Sequence, residues 1–556
     1  RAFNGSGTFN LAQTLDSFDS EDKTLTVRGT PIADTRANGT KLELDVSSTL
    51  LVLNATVNNG PVIWTGGAGD NIWNATSTNW KTADTAITGS VGDAVKFLHG
   101  DAAYFAASDG VTRTIAVQAQ GVQVADRGTG YPGLTFGGGS WQFRGGEIEG
   151  GAMLVNAGNN TLAFSGRAMR QRLTVSDAGV IASLRALAAT DTLSWQGFIA
   201  PGLGGLGGAV YVGNGATLNL GASPGGQVLF NANQASGGAG ISSGHGGAIY
   251  ADGAFSGTIT GSTFSANQAS GGADASSGHG GAIYANGDFS GAITGSTFSA
   301  NQASGGAGTS SGHGGAMYVG GSFTSDISNS RFINNLASGT GASSGRGGAM
   351  YVGGDLRLTA LAGSAWFRGN KAGAGGAEAP NALYMANELN NKTLSLAAGA
   401  GHTLYFYDPI ESNAANNNLT ININPNAGHI GKVLFDAYQS KIYGATTLHN
   451  GVLHLTNGAQ YGAANSVGSF TLNSGADILV DAKANRISAN NITLAGGGKV
   501  SALLSDAAPG DTNLILDSDP VNPIVAGEKI TVDALNTGAL NGTYHIVRAT
   551  NDFVFS

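Results

Sequence analysis

Apolar residues along this chain recur in short alternating bursts. Over residues 42–53, Leu42, Leu44 and Val46 alternate with Glu43 and Asp45. Residues 403–407 and 450–455 alternate similarly, and further bursts end near Phe136, Phe143 and Phe164. Period-two alternation predicts strands with one buried face, and no long stretch carries the i, i+3, i+4, i+7 spacing of an amphipathic helix.

In the middle of the chain the bursts repeat. A marker Gly-Gly-Ala-(Ile/Met)-Tyr ends at Tyr250, Tyr284, Tyr318 and Tyr351, at spacings of 34, 34 and 33. An earlier copy ends at Tyr211 and a degenerate one at Tyr384. A second marker, Phe-x-x-Asn, falls at Phe230/Asn233, Phe264/Asn267, Phe298/Asn301, Phe332/Asn335 and Phe367/Asn370. A third short piece, as at residues 256–260 and 290–294, lies between them. A Gly/Ser-rich loop, Gln-Ala-Ser-Gly-Gly-…-Ser-Gly-His, completes the period and is expected to be flexible.

Helical repeats share this period, but Gly throughout each repeat would cost about 1 kcal/mol at every helical position. Three short strands plus a loop instead predict an all-β chain: a right-handed, three-sided parallel β-helix forming a single elongated rod. Coils would pair at about 4.8 Å, and equivalent residues would stack. The five Phe residues then form an internal aromatic ladder. The five Asn residues bond along the stack and tolerate the left-handed conformation at a turn. The Gly-Gly pair supplies the positive φ of a tight corner, and Tyr250, Tyr284, Tyr318 and Tyr351 form a third column. The organisation expected is N-terminal coils over 1–200, regular repeats over 201–384 and less regular coils over 385–556.

Composition narrows the setting. The 556 residues include 91 Gly, 11 Pro and no Cys, and 11% are charged. Such a mixture suits many short strands and turns, and its apolar content is too high for a disordered linker. Net charge is −9, and the densest cationic run, residues 167–172, holds three arginines. That field is too small for nucleic acid or an anionic membrane to be an expected partner. No apolar run approaches 18 residues, so no membrane-spanning helix is expected. Complete absence of Cys fits export through an oxidising periplasm. Arg1 reads as the start of a trimmed or mature chain, without a signal peptide.

Several motifs resemble the passenger domains of bacterial autotransporters, the type V secretion family. Trp64, Trp73, Asn79-Trp80 and Gly100-Asp101-Ala…Phe105 look like the autotransporter-associated strand repeat. The alternation of Gly-Gly-Ala-Ile-Tyr with Phe-x-x-Asn is similar to the chlamydial polymorphic membrane proteins and pertactin-like adhesins. Residues 406–410, 433–436 and 443–455 look like later passenger coils. The resemblance implies a Gram-negative cell-surface or outer-membrane location, or secretion after cleavage, with an outer-membrane barrel expected downstream rather than membrane insertion of these residues. It implies a virulence-associated adhesin for host-cell adhesion or self-association. The alternative is an immune-evasion factor that captures a host serum protein, such as a complement or contact-system regulator.

The chemistry-bearing motifs point away from an enzyme. A Gly-Asp-Ser-Gly protease signature is absent. Gly-x-Ser-x-Gly occurs around Ser242, Ser310 and Ser343, but in Gly/Ser loops where no helix follows, and a nucleophile elbow needs one. Gly-His-Gly at His245, His279 and His313 is shared with polysaccharide hydrolases, but no Asp-Asp pair accompanies it and a catalytic residue is not expected in triplicate. No catalytic residue, cofactor or metal is therefore expected. The three histidines, with Arg346 in the fourth place, read as loop residues rather than a metal column. The candidate binding surface is the loop series 236–246, 270–280, 304–314 and 338–347. It is represented by Ser243, His245, Ser277, His279, Ser311, His313, Ser344 and Arg346. A host-cell or serum protein, or another copy of the chain, is the expected partner. Arg-Gly-Asp is absent, and Leu44-Asp45-Val46 falls in an expected strand.

Overall fold

Alternation does produce strands, and from residue 101 onward they are mostly parallel. The computed structural model describes the strands at residues 7–13, 26–27, 30–31, 40–46 and 50–57. From residue 61 it describes the chain except 84–90, 96, 128–132, 166, 177, 187–190, 201–204, 222–226, 238–242, 273–276, 307–310, 341–344, 387–390, 414–418, 437, 463–467, 482–483, 505–511, 520, 528–530, 536–542 and 556. Among the described residues there is no helix. The chain packs as two units, residues 1–174 with 180–182, and residues 175–179 with 183–556.

The first unit departs from the expectation that residues 1–200 are all parallel coils. Leu50–Val57 pairs antiparallel with both Gly7–Gln13 and Thr40–Val46. The alternation at 42–53 is thus two antiparallel strands. Trp80–Ala83 likewise pairs antiparallel with Pro61–Trp64 and with Val91–Val95. Parallel stacking begins where Ala102–Phe105 joins Pro61–Trp64 on one side and Gly133–Phe136 on the other. From there a coil has three strands, as in Ala102–Phe105, Thr112–Val117 and Val122–Gln123.

The tryptophans close the interior here. Trp73 and Trp80 are fully buried, with ring centroids 5.1 Å apart and Phe97 and Phe105 packed against both. Asn79, also buried, donates to Ile72 O at 3.0 Å and accepts from Ala68 N at 3.0 Å, tying together the segment that carries both rings. The Trp…Asn-Trp motif is accounted for by packing.

In the second unit each repeat pairs in register with its successor: Tyr250 with Tyr284, Phe264 with Phe298, Gln268 with Gln302 and His245 with His279. The architecture is a parallel β-helix. One repeat contains five strand pieces rather than three: Ile249–Ala251, Ile259–Thr260, Ser262–Ser265, Gln268–Ser270 and Gly278–His279; the next has four, with Ser311 and His313 in isolated bridges. Both ends of the presumed flexible loop are therefore laddered. Small inward residues make this possible, since Ala235, Ala269, Ala303 and Ala337 are fully buried. Beyond residue 402 the coils return to three strands, as in Thr403–Phe406, Ile410–Ser412 and Leu419–Ile423.

Ladders fill the interior. Neighbouring rings of Phe230, Phe264, Phe298, Phe332 and Phe367 stack with centroids 4.7 to 4.9 Å apart. Trp195 extends the column at one end, Phe406 and Phe435 at the other. Phe255, Phe289 and Phe323, outside both sequence markers, form a second ladder. Each fully buried ring contributes roughly 1.5–3 kcal/mol by burial alone. The Asn column is equally regular. Nδ2 of Asn233, Asn267, Asn301 and Asn335 donates at 2.9 Å to Oδ1 of the next Asn. The turn itself uses the left-handed region at a neighbouring position. The left-handed residue is the one before each Asn: Ala232, Ala266 and Ala300 (φ 52 to 53), Asn334 (φ 55) and Gly369 (φ 70). The corner glycines do behave as expected. Gly246, Gly280, Gly314 and Gly347 have φ of 66 to 68, and a Cβ on Gly246 would collide with Ile249 O.

Candidate binding face

The histidines of the Gly-His pieces are held by stacking on two sides. Ring centroids of His245 and His279 lie 5.2 Å apart, and those of His279 and His313 5.0 Å, with interplanar angles of 7° and 2°. Each ring also stacks on the tyrosine one coil on: His245 on Tyr284 at 4.6 Å, His279 on Tyr318 at 4.7 Å and His313 on Tyr351 at 4.8 Å. The tyrosines stack among themselves from Tyr211 to Tyr384, at 4.9 to 5.7 Å. Arg346 takes the fourth histidine place. Its guanidinium carbon lies 4.6 Å over the Tyr384 ring, and Nη1 donates to Tyr384 Oη at 2.7 Å.

Backbone bonds fix the state of these imidazoles. Nδ1 of His245, His279 and His313 accepts the backbone N–H of His279, His313 and Arg346 at 3.3, 3.0 and 3.1 Å. An accepting Nδ1 assigns the neutral tautomer with the proton on Nε2. Burial, the largest influence, pushes His245 and His313 down to about 4 and His279 well below its ordinary value. Neighbouring imidazoles on His279, and Arg346 beside His313, act in the same direction. Burial also pushes Tyr284 up to about 12. The column is a neutral, half-buried part of the wall.

This corrects the picture of mobile loop histidines. Ser311 is buried, with Oγ 3.1 Å from His313 Nε2. Ser243 and Ser277 are half-buried. Ser344, the middle of each loop and the Gly-x-Ser-x-Gly serines Ser242, Ser310 and Ser343 lie outside the described residues. The imidazoles stack face to face, so their in-plane nitrogens run side by side instead of converging, and Nδ1 is already bonded. Among the described residues no group of three or more His, Cys, Asp or Glu side chains is placed to hold a metal ion. The stacking partners of these imidazoles are His and Tyr rings, not the paired carboxylates that glycoside hydrolysis requires.

A second exterior feature escaped the sequence. With the Phe ladder inside, the alternate positions of the same strands face outward. One outer column runs Thr263, Thr297, Arg331, Trp366 and Tyr405. Arg331 lies 5.2 Å over Trp366, Trp366 stacks on Tyr405 at 5.7 Å, and Arg368 lies 5.4 Å over Tyr407. The signal was masked because residues 404–407 are apolar or aromatic throughout. Only the register of Phe367 on Phe406 assigns Tyr405 to the outside.

No family model matches the chain, and no solved structure matches it. Over 74 residues, 13% of the chain, it is 40% identical to a probable outer membrane protein, pmp6, of Chlamydia pneumoniae. The match covers 6% of that protein's length.

Proposed function

We propose that this chain is the passenger region of a bacterial autotransporter and acts as a surface adhesin. The observation that carries the reading is the similarity to a probable outer membrane protein of Chlamydia pneumoniae, found in a chain that folds as a parallel β-helix. Stacked coils hold side chains of successive repeats at a fixed spacing of about 4.8 Å, which suits contact by many weak, repeated bonds. The candidate column favours binding over catalysis, because its imidazoles are neutral, stacked and already bonded through Nδ1. The outer membrane or cell surface is the location that fits, and host-cell contact or contact between copies is the adhesive act.

The test compares latex beads coated with the purified chain with albumin-coated beads on cultured epithelial cells. Adhesion of the chain-coated beads, or their clumping in the absence of cells, is expected. Failure of both, with retention of one serum protein on the beads, would replace the adhesin reading with serum-protein capture.

A further inference from the structure

The outer face of the Phe-ladder sheet changes character partway along the second unit. Its outward residues in the regular repeats are small and hydroxylic: Thr263 and Ser265, then Thr297 and Ser299. Over the next three coils they become Arg331 and Ile333, then Trp366 and Arg368, then Tyr405 and Tyr407. Arg331 and Arg368 are exposed, and neither forms an ion pair among the described residues. Each is steadied by an aromatic ring, Trp366 and Tyr407 respectively. Stacking on a ring face leaves the guanidinium N–H edge free, and that edge matches a carboxylate in a bidentate manner.

We infer that the patch formed by Arg331, Trp366, Arg368, Tyr405 and Tyr407 docks an acidic segment of a protein partner. This rests on the adhesin reading and names the chemistry of what is bound. Arg368 lies near the carboxylate of Asp408, but that group is buried and bonded to Gly369 and Asn370, so both exposed guanidiniums keep their N–H edges for an acidic partner on a chain of net charge −9. Trp, Tyr and Arg are the residues that dominate protein–protein contacts. Ring orientation argues against a sugar platform. Trp366 is stacked by Arg331 and by Tyr405, the latter at an interplanar angle of 4°, so the pair offers edges rather than an open face to a pyranose ring. Edges suit apolar side chains flanking the carboxylates.

The probe is a fluorescein-labelled peptide of alternating Glu and Leu, read by fluorescence anisotropy on the whole chain at low salt. A Gln-for-Glu peptide and heparin serve as comparators. The Glu peptide is expected to bind and the Gln peptide to bind at least about tenfold more weakly. The double variant Arg331→Gln/Arg368→Gln should weaken Kd at least about tenfold. Trp366→Thr, which restores the residue type of Thr297 in the same column, should weaken it several-fold. Arg357→Gln, an exposed arginine on the strand Leu356–Ala360 of another sheet, should leave it unchanged. Absence of peptide binding, equal loss in Arg357→Gln, or retention of heparin but not peptide would overturn the inference. Bead adhesion separates the two readings. Peptide binding without adhesion removes the adhesin reading and keeps the patch. Adhesion undiminished in a double variant that no longer binds peptide keeps the adhesin reading and removes the patch as its docking site.

Discussion

Asn370 donates through Nδ2 to Asp408 Oδ2 at 2.9 Å, and that bond ends the ladder of amides that begins at Asn233. Every amide in the row passes a hydrogen bond in the same direction, so the last donor needs an acceptor. Asp408, buried, also accepts the backbone N–H groups of Gly369 and Asn370 at 2.9 and 2.8 Å. Burial raises its pKa, opposed by these bonds. Asp408→Leu strands three donors and is expected to cost about 2–4 kcal/mol in urea unfolding. Asp408→Asn keeps an acceptor and should cost less than about half of that.

The middle of the row is more demanding than its end. Asn301 donates to Asn335 Oδ1 and Phe264 O, and accepts from Asn267 Nδ2 and from its backbone N. Only an amide supplies both donor and acceptor in that shape. Asn301→Leu is expected to destabilise by about 3 kcal/mol or more, measured by the urea midpoint at constant m.

Alanine in a left-handed conformation is strained. Ala266 and Ala300 both have φ of 53, whereas the equivalent place one repeat after Asn334 is Gly369. Ala266→Gly and Ala300→Gly should each stabilise by about 0.5–1 kcal/mol. Ala303→Gly, within the strand Gln302–Ser304, should destabilise. A thermal shift of the same sign for all three would show that strain is not the cause.

Acid should weaken the repeats. The folded imidazoles hold pKa values of about 4 for His245 and His313, against an ordinary 6.5. The unfolded chain therefore takes up protons that the folded chain refuses, and stability falls as pH drops from about 6.5 to about 4. His454, pushed down to about 4 by burial, adds to the same trend. His279→Gln removes one member of the column, so its stability should fall less steeply than the parent's across that window. A parallel pH profile for parent and variant would contradict the assignment.

Much of this was legible because identity of residue at fixed spacing survives translation into stacking: the Phe, Asn and Tyr columns could be named from the period alone. The left-handed position could not, since Ala232, Ala266, Ala300, Asn334 and Gly369 share a conformation without sharing a residue type. The strand character of Gln268–Ser270 and Gly278–His279 was hidden because it depends on small buried residues rather than apolar alternation. The contact of His245 with Tyr284 crosses from one coil to the next, a geometric offset that spacing does not encode. The Arg331–Trp366 pair needed the same register.

In-register stacking underlies every column, and it can be tested directly because the chain has no cysteine of its own. Thr263 and Thr297 are register partners on adjacent coils, whereas Arg331 is one coil further. Cysteines at 263 and 297 would sit at about 4.8 Å, within disulfide reach, and cysteines at 263 and 331 at about twice that. Mild oxidation should close the first pair in the folded chain and leave the second reduced. Equal closure of both pairs, or closure of the second alone, would contradict the stacked β-helix.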